Sequence, residues 1–144
     1  MRVIRPVIFL AVIAGLSATA PAMAQGSRVI IEQWGTNNSA GGAQSGQRQR
    51  LSVQQRGHGN LSVNTQDGQR NRASVTQSGS ANTVDSHQCG SRNTTAVAQI
   101  GAGHDAVTAQ CGQRNITAVV QIGRGSSARV SQSGSNNVTA VIQH

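Results

Sequence analysis

The stretch that decides the fold reads QDGQRNRASVTQ and runs from Gln66 to Gln77. From Asn71 onward, every second residue belongs to one set (Asn, Ala, Val, Gln), and the residues between them are Arg, Ser and Thr. This alternation is the period of a β-strand and not of a helix. The segment Asp67 to Arg70 contains a glycine, so we expect it to be the turn. The stretch therefore predicts a unit made of one short strand and one tight turn.

The same unit recurs along the chain at a fixed spacing. A glutamine stands at every eleventh position from Gln33 to Gln143, and a glycine follows two residues after each of the first ten. Successive units differ, because strands that carry valine alternate with strands that carry Asn64, Ser86 or Thr108 at the same phase. Fixed-period repetition indicates a stacked repeat. We therefore predict an all-β fold, an amyloid-forming β-solenoid of parallel strand–turn–strand coils, with a 22-residue period and about five coils.

Stacked coils place residues 22 apart above each other at about 4.8 Å, the spacing of strands in a sheet. Buried carboxamides are tolerated only when their donors and acceptors pair, which a ladder of amides between coils achieves. The predicted ladder, which is also the predicted polymerisation site, consists of Gln55, Gln66, Gln77, Gln88, Gln99, Gln110, Gln121, Gln132, Asn60, Asn71, Asn82, Asn93, Asn115 and Asn137. The predicted apolar core column consists of Val53, Val75, Val97, Val119 and Val141.

The first 43 residues differ from the rest. A basic start, an apolar run at 7–16 and the sequence Ala-Met-Ala at 22–24 predict a secretory signal peptide over residues 1–24. The apolar run is too short to span a bilayer. Residues 25–43 are expected to form a loose N-terminal segment with a degenerate first unit, whose second strand Gly41 and Gly42 interrupt. The repeat domain is predicted over residues 44–144.

Composition and charge narrow the functional classes. The chain has no Tyr, one Trp and one Phe, so an ordinary globular core is not expected. Cleavage of the signal peptide removes Arg2 and Arg5 and lowers the formal net charge from +8 to +6. Paired carboxylates, nucleophile motifs and phosphate-binding loops are not discernible, so we expect no enzyme, no cofactor and no small-molecule substrate.

The positions of the cysteines and histidines bear on disulfide and metal chemistry. Cys89 and Cys111 are one period apart, so a disulfide between them and a pair of exposed thiols are both compatible with the sequence. The four histidines, at 58, 87, 104 and 144, share no ligand spacing with each other or with the cysteines. We therefore expect solvated turn histidines and no metal site.

Four arginines form a candidate polyanion strip at one turn position: Arg48, Arg70, Arg92 and Arg114. Such a strip could bind extracellular DNA or lipopolysaccharide. It is more typical of a solvated charged edge that slows off-pathway association. The aromatic platforms on which bases stack are absent.

Two successive units, QRGHGN at 55–60 and QDGQRN at 66–71, closely resemble the curlin repeat of bacterial curli fibres. The resemblance extends over about Gln33 to Gln143, in about five repeats. It implies a subunit secreted through the periplasm that associates with copies of itself and with other curli-type subunits and secretion machinery. The fibres of this family lie at the cell surface and serve adhesion and biofilm matrix.

Within the family, the basic and tyrosine-free composition resembles the minor, nucleating subunit more than the major one. The regular last repeat, from Ser135 to Gln143, differs from the nucleator's pattern. The sequence therefore predicts a curli-like fibre subunit or nucleator that polymerises by templated strand stacking. The alternative is a monomeric secreted solenoid that binds polyanions through the arginine strip.

Overall fold

The computed structural model describes residues 26–144, and the predicted signal peptide lies outside them. Within this range the chain forms eleven strands, ten of nine residues and a last one of six. Their bounds are β1 (Arg28–Thr36), β2 (Ser39–Gln47), β3 (Arg50–His58), β4 (Leu61–Gln69), β5 (Arg72–Ser80), β6 (Thr83–Ser91), β7 (Thr94–Ala102), β8 (Asp105–Gln113), β9 (Ile116–Arg124), β10 (Ser127–Ser135) and β11 (Val138–Gln143).

The strands form two parallel sheets that face each other. The odd sheet has the order β1-β3-β5-β7-β9-β11, and the even sheet has the order β10-β8-β6-β4-β2. In every pair of neighbouring strands, residues pair with the residues 22 positions further along, as Val53 with Val75 and Gln66 with Gln88. The predicted fold is therefore confirmed as a parallel β-solenoid of about five coils with a 22-residue period.

The connections between strands are shorter than the sequence indicated. The turn expected over 67–70 is wrong in its extent, because β4 continues through Gly68 to Gln69 and only two residues separate it from β5. Gly68 has a φ of 107° and pairs with Gly90 of the next coil. A Cβ atom at Gly68 would overlap the carbonyl oxygen of Gly90. Glycine is thus required where the strand bends while it stays paired to its neighbours.

The core is a narrow column of small side chains between the two sheets. Val53, Val75, Val97 and Val119 are at most 3% exposed, whereas Val141 in the last coil is half-buried. The facing even strands contribute small apolar residues and the buried polar residues Asn64, Ser86 and Thr108. Valine and short polar side chains suffice because the two sheets leave little room between them.

The N-terminal coil is more regular than expected. β2 runs without interruption through Gly41 and Gly42, which pair with Val63 and Asn64. The expectation that these glycines break the strand is wrong, because they remove side chains but keep the hydrogen bonds of the parallel ladder. Leu51 occupies the space that a side chain at Gly42 would need. The boundary between residues 43 and 44 stays a prediction.

Among residues 26–144 there is no helix with the length and apolar character that a membrane crossing requires.

Candidate functional site

The glutamines form two continuous columns, one in each sheet. In the odd sheet, each Nε2 donates to the Oε1 of the glutamine 22 residues further on, over distances of 2.6–2.9 Å from Gln33 to Gln143. The even column repeats this at 2.7–3.0 Å from Gln44 to Gln132. All of these bonds point the same way along the stack.

From Gln55 onward, the second hydrogen of each column amide joins the two sheets. Gln77 Nε2 also donates to the carbonyl oxygen of Leu61 at 3.0 Å, and Gln99 Nε2 donates to that of Thr83 at 3.0 Å. Both acceptors are the first residues of even strands. The glutamines of the two columns from Gln55 to Gln121 are at most 1% exposed. Two bonds per amide group therefore offset the cost of burying them and fix the geometry of each coil.

The asparagine columns work differently from the expected amide-to-amide ladder. Asn71 Nδ2 donates to the carbonyl oxygens of Asp67 at 2.8 Å and Gly90 at 3.2 Å. Its Oδ1 accepts the backbone N–H of Asn93 at 3.0 Å. Only Asn60, which donates to Asn38 Oδ1 at 3.1 Å, makes a bond between two amides in the described residues. The expectation is wrong for the others because the bend presents backbone groups that a short carboxamide can reach.

His104 takes the place of an asparagine in these columns. Its Nδ1 accepts the backbone N–H of Ser126 at 3.2 Å, and its Nε2 lies 3.2 Å from the carbonyl oxygen of Ile100. Since an N–H can only donate, Nδ1 is the unprotonated nitrogen and Nε2 carries the hydrogen. The expectation of a solvated turn residue is wrong for His104, which is 1% exposed. The other three histidines are exposed.

Sequence reasoning missed further members of the polar interior. The hydroxyl of Thr95 accepts from Gln88 Nε2 at 2.9 Å and donates to Gln110 Oε1 at 2.8 Å, and Thr117 repeats this pattern. Their positions in the repeat could have revealed these residues: Thr95 and Thr117 are one period apart, and His104 lies eleven residues after Asn93. On the even strands, the positions that correspond to the valine column carry polar side chains. Three of their atoms are buried without a hydrogen-bond partner in the described residues: Asn64 Oδ1, Ser86 Oγ and Thr108 Oγ1.

Cys89 and Cys111 are joined by a disulfide between β6 and β8, with 4.6 Å between their Cα atoms. Contrary to the expectation from spacing, His87 lies beside them, with its ring nitrogen and both sulfurs within 4.8 Å of one another. Metal ions bind cysteine as the thiolate. The oxidised pair therefore offers no sulfur ligand to a metal.

The four arginines of the predicted strip lie in one exposed column at the turn between even and odd strands. Arg48, Arg70, Arg92 and Arg114 all have φ values of 55–59°. This left-handed conformation costs a non-glycine residue roughly 1 kcal/mol. A second column of exposed arginines, at 28, 50 and 72, begins two residues further along on β1, β3 and β5. The structure thus brings more cations to this corner than the sequence indicated.

The two ends of the stack expose groups that are buried in every inner coil. Val29 and Ile31 of β1 are 47% and 40% exposed, although Leu51 and Val53, their neighbours on β3, are at most 1% exposed. At the other end, Gln143 Nε2 donates to Ser127 O at 3.1 Å and keeps one N–H without a partner among residues 26–144. Edges of this kind can accept a further strand.

The comparison with protein families gives one match. Residues 50–79, which span β3, β4 and most of β5, match the family model described as the curlin associated repeat. No curated protein matches the chain. The matched range contains the glutamines, the corner glycines and Asn71 whose geometry is described above. The part of the two parallel sheets formed by residues 50–79 is thus similar to the curlin associated repeat.

Proposed function

We propose that this protein is a secreted structural subunit of curli-like fibres, either the bulk subunit or a nucleator, that polymerises by templated β-strand stacking. It reaches the cell surface through the periplasm, and the fibres contribute to surface adhesion and biofilm matrix. The role is structural and not enzymatic. The curlin repeat at residues 50–79 and the parallel solenoid support this proposal.

The observation that carries the proposal is the match between the two ends of the stack. One end presents the Oε1 of Gln33, which accepts no hydrogen bond among residues 26–144, and the half-exposed Val29 and Ile31, which face inward. The other end presents one N–H of Gln143 and one edge of β11 that have no partner in the described part of the chain. A second copy that continues the 22-residue period supplies each group with the partner that it has in the inner coils.

Backbone pairing dominates the energetics of this contact. Burying a whole valine or isoleucine contributes roughly 1.5–3 kcal/mol, so covering the exposed part of Val29 or Ile31 contributes about 1 kcal/mol. Extending both sheets adds a row of backbone hydrogen bonds and one more amide bond to each glutamine column. An existing fibre end is therefore a better template than a second free chain, because its strands are already ordered.

The test uses the chain from residue 25 onward and a variant at the exposed end. Ile31→Asp places a charge where the next copy must stack, and Val63→Asp is the matched control, since Val63 is 44% exposed but faces outward on β4. We expect thioflavin-positive fibres with a reflection at about 4.8 Å, elongation at least tenfold slower for Ile31→Asp, and nearly unchanged elongation for Val63→Asp. Wild-type protein that stays monomeric, or equal rates for both variants, would overturn the proposal.

Partner subunits are part of the same proposal. A strand edge that accepts its own chain also accepts a related chain with glutamines at the same spacing. We expect preformed fibres of this protein to shorten the lag phase of a tyrosine-bearing curli-type subunit, and the reverse. Seeding in one order alone would identify this protein as the nucleator or the bulk subunit.

A second candidate function is polyanion binding by the arginine corner. Arg48, Arg70, Arg92 and Arg114 adopt the left-handed conformation, which costs a non-glycine residue backbone energy. Three of the turns on the opposite side of the solenoid have glycine at the equivalent position and avoid this cost. Arginine in spite of the cost favours a binding function for this column. We expect affinity for double-stranded DNA or lipopolysaccharide to fall steeply with salt, and the salt slope to decrease in Arg70→Gln with Arg92→Gln. Arg129→Gln, on the even sheet, is the control. An unchanged salt slope in the double variant would exclude the arginine corner as the polyanion-binding site.

A further inference from the structure

The disulfide between Cys89 and Cys111 lies on the outer face of the even sheet, with His87 beside it. His87 and Cys89 are two residues apart on β6, so their side chains point to the same side of the sheet. Cys111 is the partner of Cys89 on β8. Among residues 26–144, these three form the one group of at least three His, Cys, Asp or Glu side chains with ligand atoms all within 4.8 Å of one another. We call them the Cys–His cluster.

The surroundings of the Cys–His cluster leave room for a ligand. On β8 the residue opposite His87 is Ala109, whose methyl group leaves space for the imidazole to turn toward Cys111. His87 is exposed and both cysteines are half-buried, so a solute can reach all three side chains from water. His104 differs, because both of its ring nitrogens contact backbone groups inside the fold.

The charge of this face favours a cation. Three of the four acidic residues of the chain lie at outward positions of β4, β6 and β8: Asp67, Asp85 and Asp105. Asp67 is the partner of Cys89 on the side away from Cys111. In the described residues the even strands carry one arginine, Arg129 on β10, and it does not pair with a residue of the cluster. The cluster therefore lies on the acidic side of a basic molecule, where a cation is attracted.

The redox state of the two cysteines decides whether the cluster can bind a metal. Metal ions bind the thiolate, which a disulfide does not offer. A thiol reductant transfers two electrons and two protons to the sulfur–sulfur bond, which yields two thiols while the reductant is oxidised to its own disulfide. A divalent cation then displaces both thiol protons, and its two charges balance those of the two thiolates.

The side chains of the reduced cluster match a tetrahedral metal ion. Zn²⁺ binds sulfur at about 2.3 Å and imidazole nitrogen at about 2.0–2.1 Å, so the ligand atoms of such a site are about 3.6–3.8 Å apart. The Cα atoms of Cys89 and Cys111 are 4.6 Å apart, so side-chain rotation can give this spacing while β6 and β8 stay paired. Two thiolates and one imidazole, with water in the fourth position, are a ligand set that zinc accepts. Thiolate ligands also select such an ion over Mg²⁺ or Ca²⁺.

We propose that the reduced Cys–His cluster is a binding site for a thiophilic divalent cation of the Zn²⁺ class, held by Cys89, Cys111 and His87. Since the ligands come from both β6 and β8, the ion joins the same two coils that the disulfide joins after oxidation. These coils are thus cross-linked in either redox state, and the metal and an oxidant compete for the same sulfurs. All three ligands belong to one chain, so the site does not rest on the proposed fibre.

The experiment measures Zn²⁺ binding to the chain from residue 25 onward, in competition with a chromophoric chelator. The chain is compared in its oxidised state and after reduction with a phosphine, which does not compete for the metal as a thiol does. His87→Ala removes the imidazole, and His58→Ala is the matched control, because His58 is also exposed but lies on the odd sheet. Co²⁺ is the second probe, since thiolate ligation gives it a charge-transfer band in the near ultraviolet.

We expect one Zn²⁺ per reduced chain, with an affinity that falls roughly tenfold or more in His87→Ala and in the oxidised chain and is unchanged in His58→Ala. Zn²⁺ should raise the urea midpoint of the reduced chain and leave that of the oxidised chain unchanged. Equal affinities of the reduced and oxidised chains would overturn the inference, since the thiolates would then play no part. An unchanged affinity in His87→Ala, or a Co²⁺ complex without the charge-transfer band, would overturn it as well.

A metal site that the stacked coils build must weaken when the chain unfolds. In concentrated urea Cys89 and Cys111 are no longer neighbours, so we expect the affinity of the reduced chain to fall roughly tenfold or more. Zn²⁺ should also slow the re-formation of the disulfide by oxidised glutathione, because the bound thiolates are not free to react. Equal affinity of the folded and unfolded chains, or an oxidation rate that Zn²⁺ does not change, would contradict the proposed site.

Discussion

Thr95 and Thr108 are both buried threonines that face the interior of the solenoid, but only Thr95 has partners for its hydroxyl. Thr95 Oγ1 bonds to Gln88 and Gln110 at 2.9 and 2.8 Å, whereas Thr108 Oγ1 is buried without a hydrogen-bond partner. A buried polar group without a partner loses its bonds to water and gains nothing in return. The same residue type therefore stabilises one column and destabilises the other.

We expect Thr108→Val to raise the free energy of unfolding by about 1 kcal/mol, because valine has nearly the same shape and removes the unsatisfied hydroxyl. Thr95→Val is the matched control and should lower it by about 1–3 kcal/mol, since both glutamines lose a partner. Urea unfolding followed by circular dichroism measures both changes. Equal effects of the two substitutions would contradict the hydrogen-bond assignment.

Gln77 lies at the centre of the odd glutamine column, where it bonds to Gln55 at 2.7 Å and Gln99 at 2.9 Å. Gln77→Ala leaves a buried donor on one side and a buried acceptor on the other, so we expect a loss of about 2–4 kcal/mol. The concentration of free chain in equilibrium with fibres should rise at least tenfold. Gln69→Ala changes an exposed glutamine of β4 and should have little effect. A similar rise for both variants would argue against the column.

Ala81 occupies a turn position at which three equivalent residues, at 59, 103 and 125, are glycines. Its φ is 53°, and theirs are 66–69°. We expect Ala81→Gly to stabilise the fold by up to about 1 kcal/mol, because relief of the left-handed strain exceeds the added freedom of the unfolded chain.

Gly103→Ala is the reverse change at a site where a Cβ atom meets no neighbour within 4 Å, and it should cost a similar amount. Thermal unfolding of both variants gives the measurement. Changes of the same sign would show that contacts, and not the backbone conformation, decide stability at these turns.

The disulfide between Cys89 and Cys111 closes a loop of one coil, with a sequence separation of 22 residues. Such a cross-link stabilises by roughly 3 kcal/mol, mainly by restricting the unfolded chain. We expect dithiothreitol to lower the urea midpoint of wild type and to leave that of the double variant Cys89→Ala, Cys111→Ala unchanged. A wild-type midpoint that does not respond to reductant would show that the bond contributes nothing.

The period and the inward face of the strands could be predicted from sequence. Every coil places equivalent residues in the same environment, so the same residue type recurs at that position in coil after coil. Gln77 and Val75 show this directly, as each repeats unchanged one coil away. The unbroken path of β2 through Gly42 could not be predicted, since the space there is occupied by Leu51 from the other sheet. Local sequence does not contain that contact.

The polar site was only partly predictable for a related reason. The reach of a side chain decides its partner: glutamine spans the distance to the next glutamine, whereas Asn71 reaches only the backbone of the bend. His104 could be placed by its phase, but its role depends on which nitrogen faces Ser126.

The uniform orientation of the glutamine bonds has a consequence for any assembly of these chains. Every Nε2 gives its hydrogen to the coil nearer the C-terminus, so one tip of a stack offers vacant oxygens and the opposite tip offers hydrogens. A filament with chemically different tips is polar, and an incoming chain meets hydrogen-bond acceptors at one tip and donors at the other. Its two tips should therefore elongate at unequal speeds, with the whole filament advancing mainly from one of them.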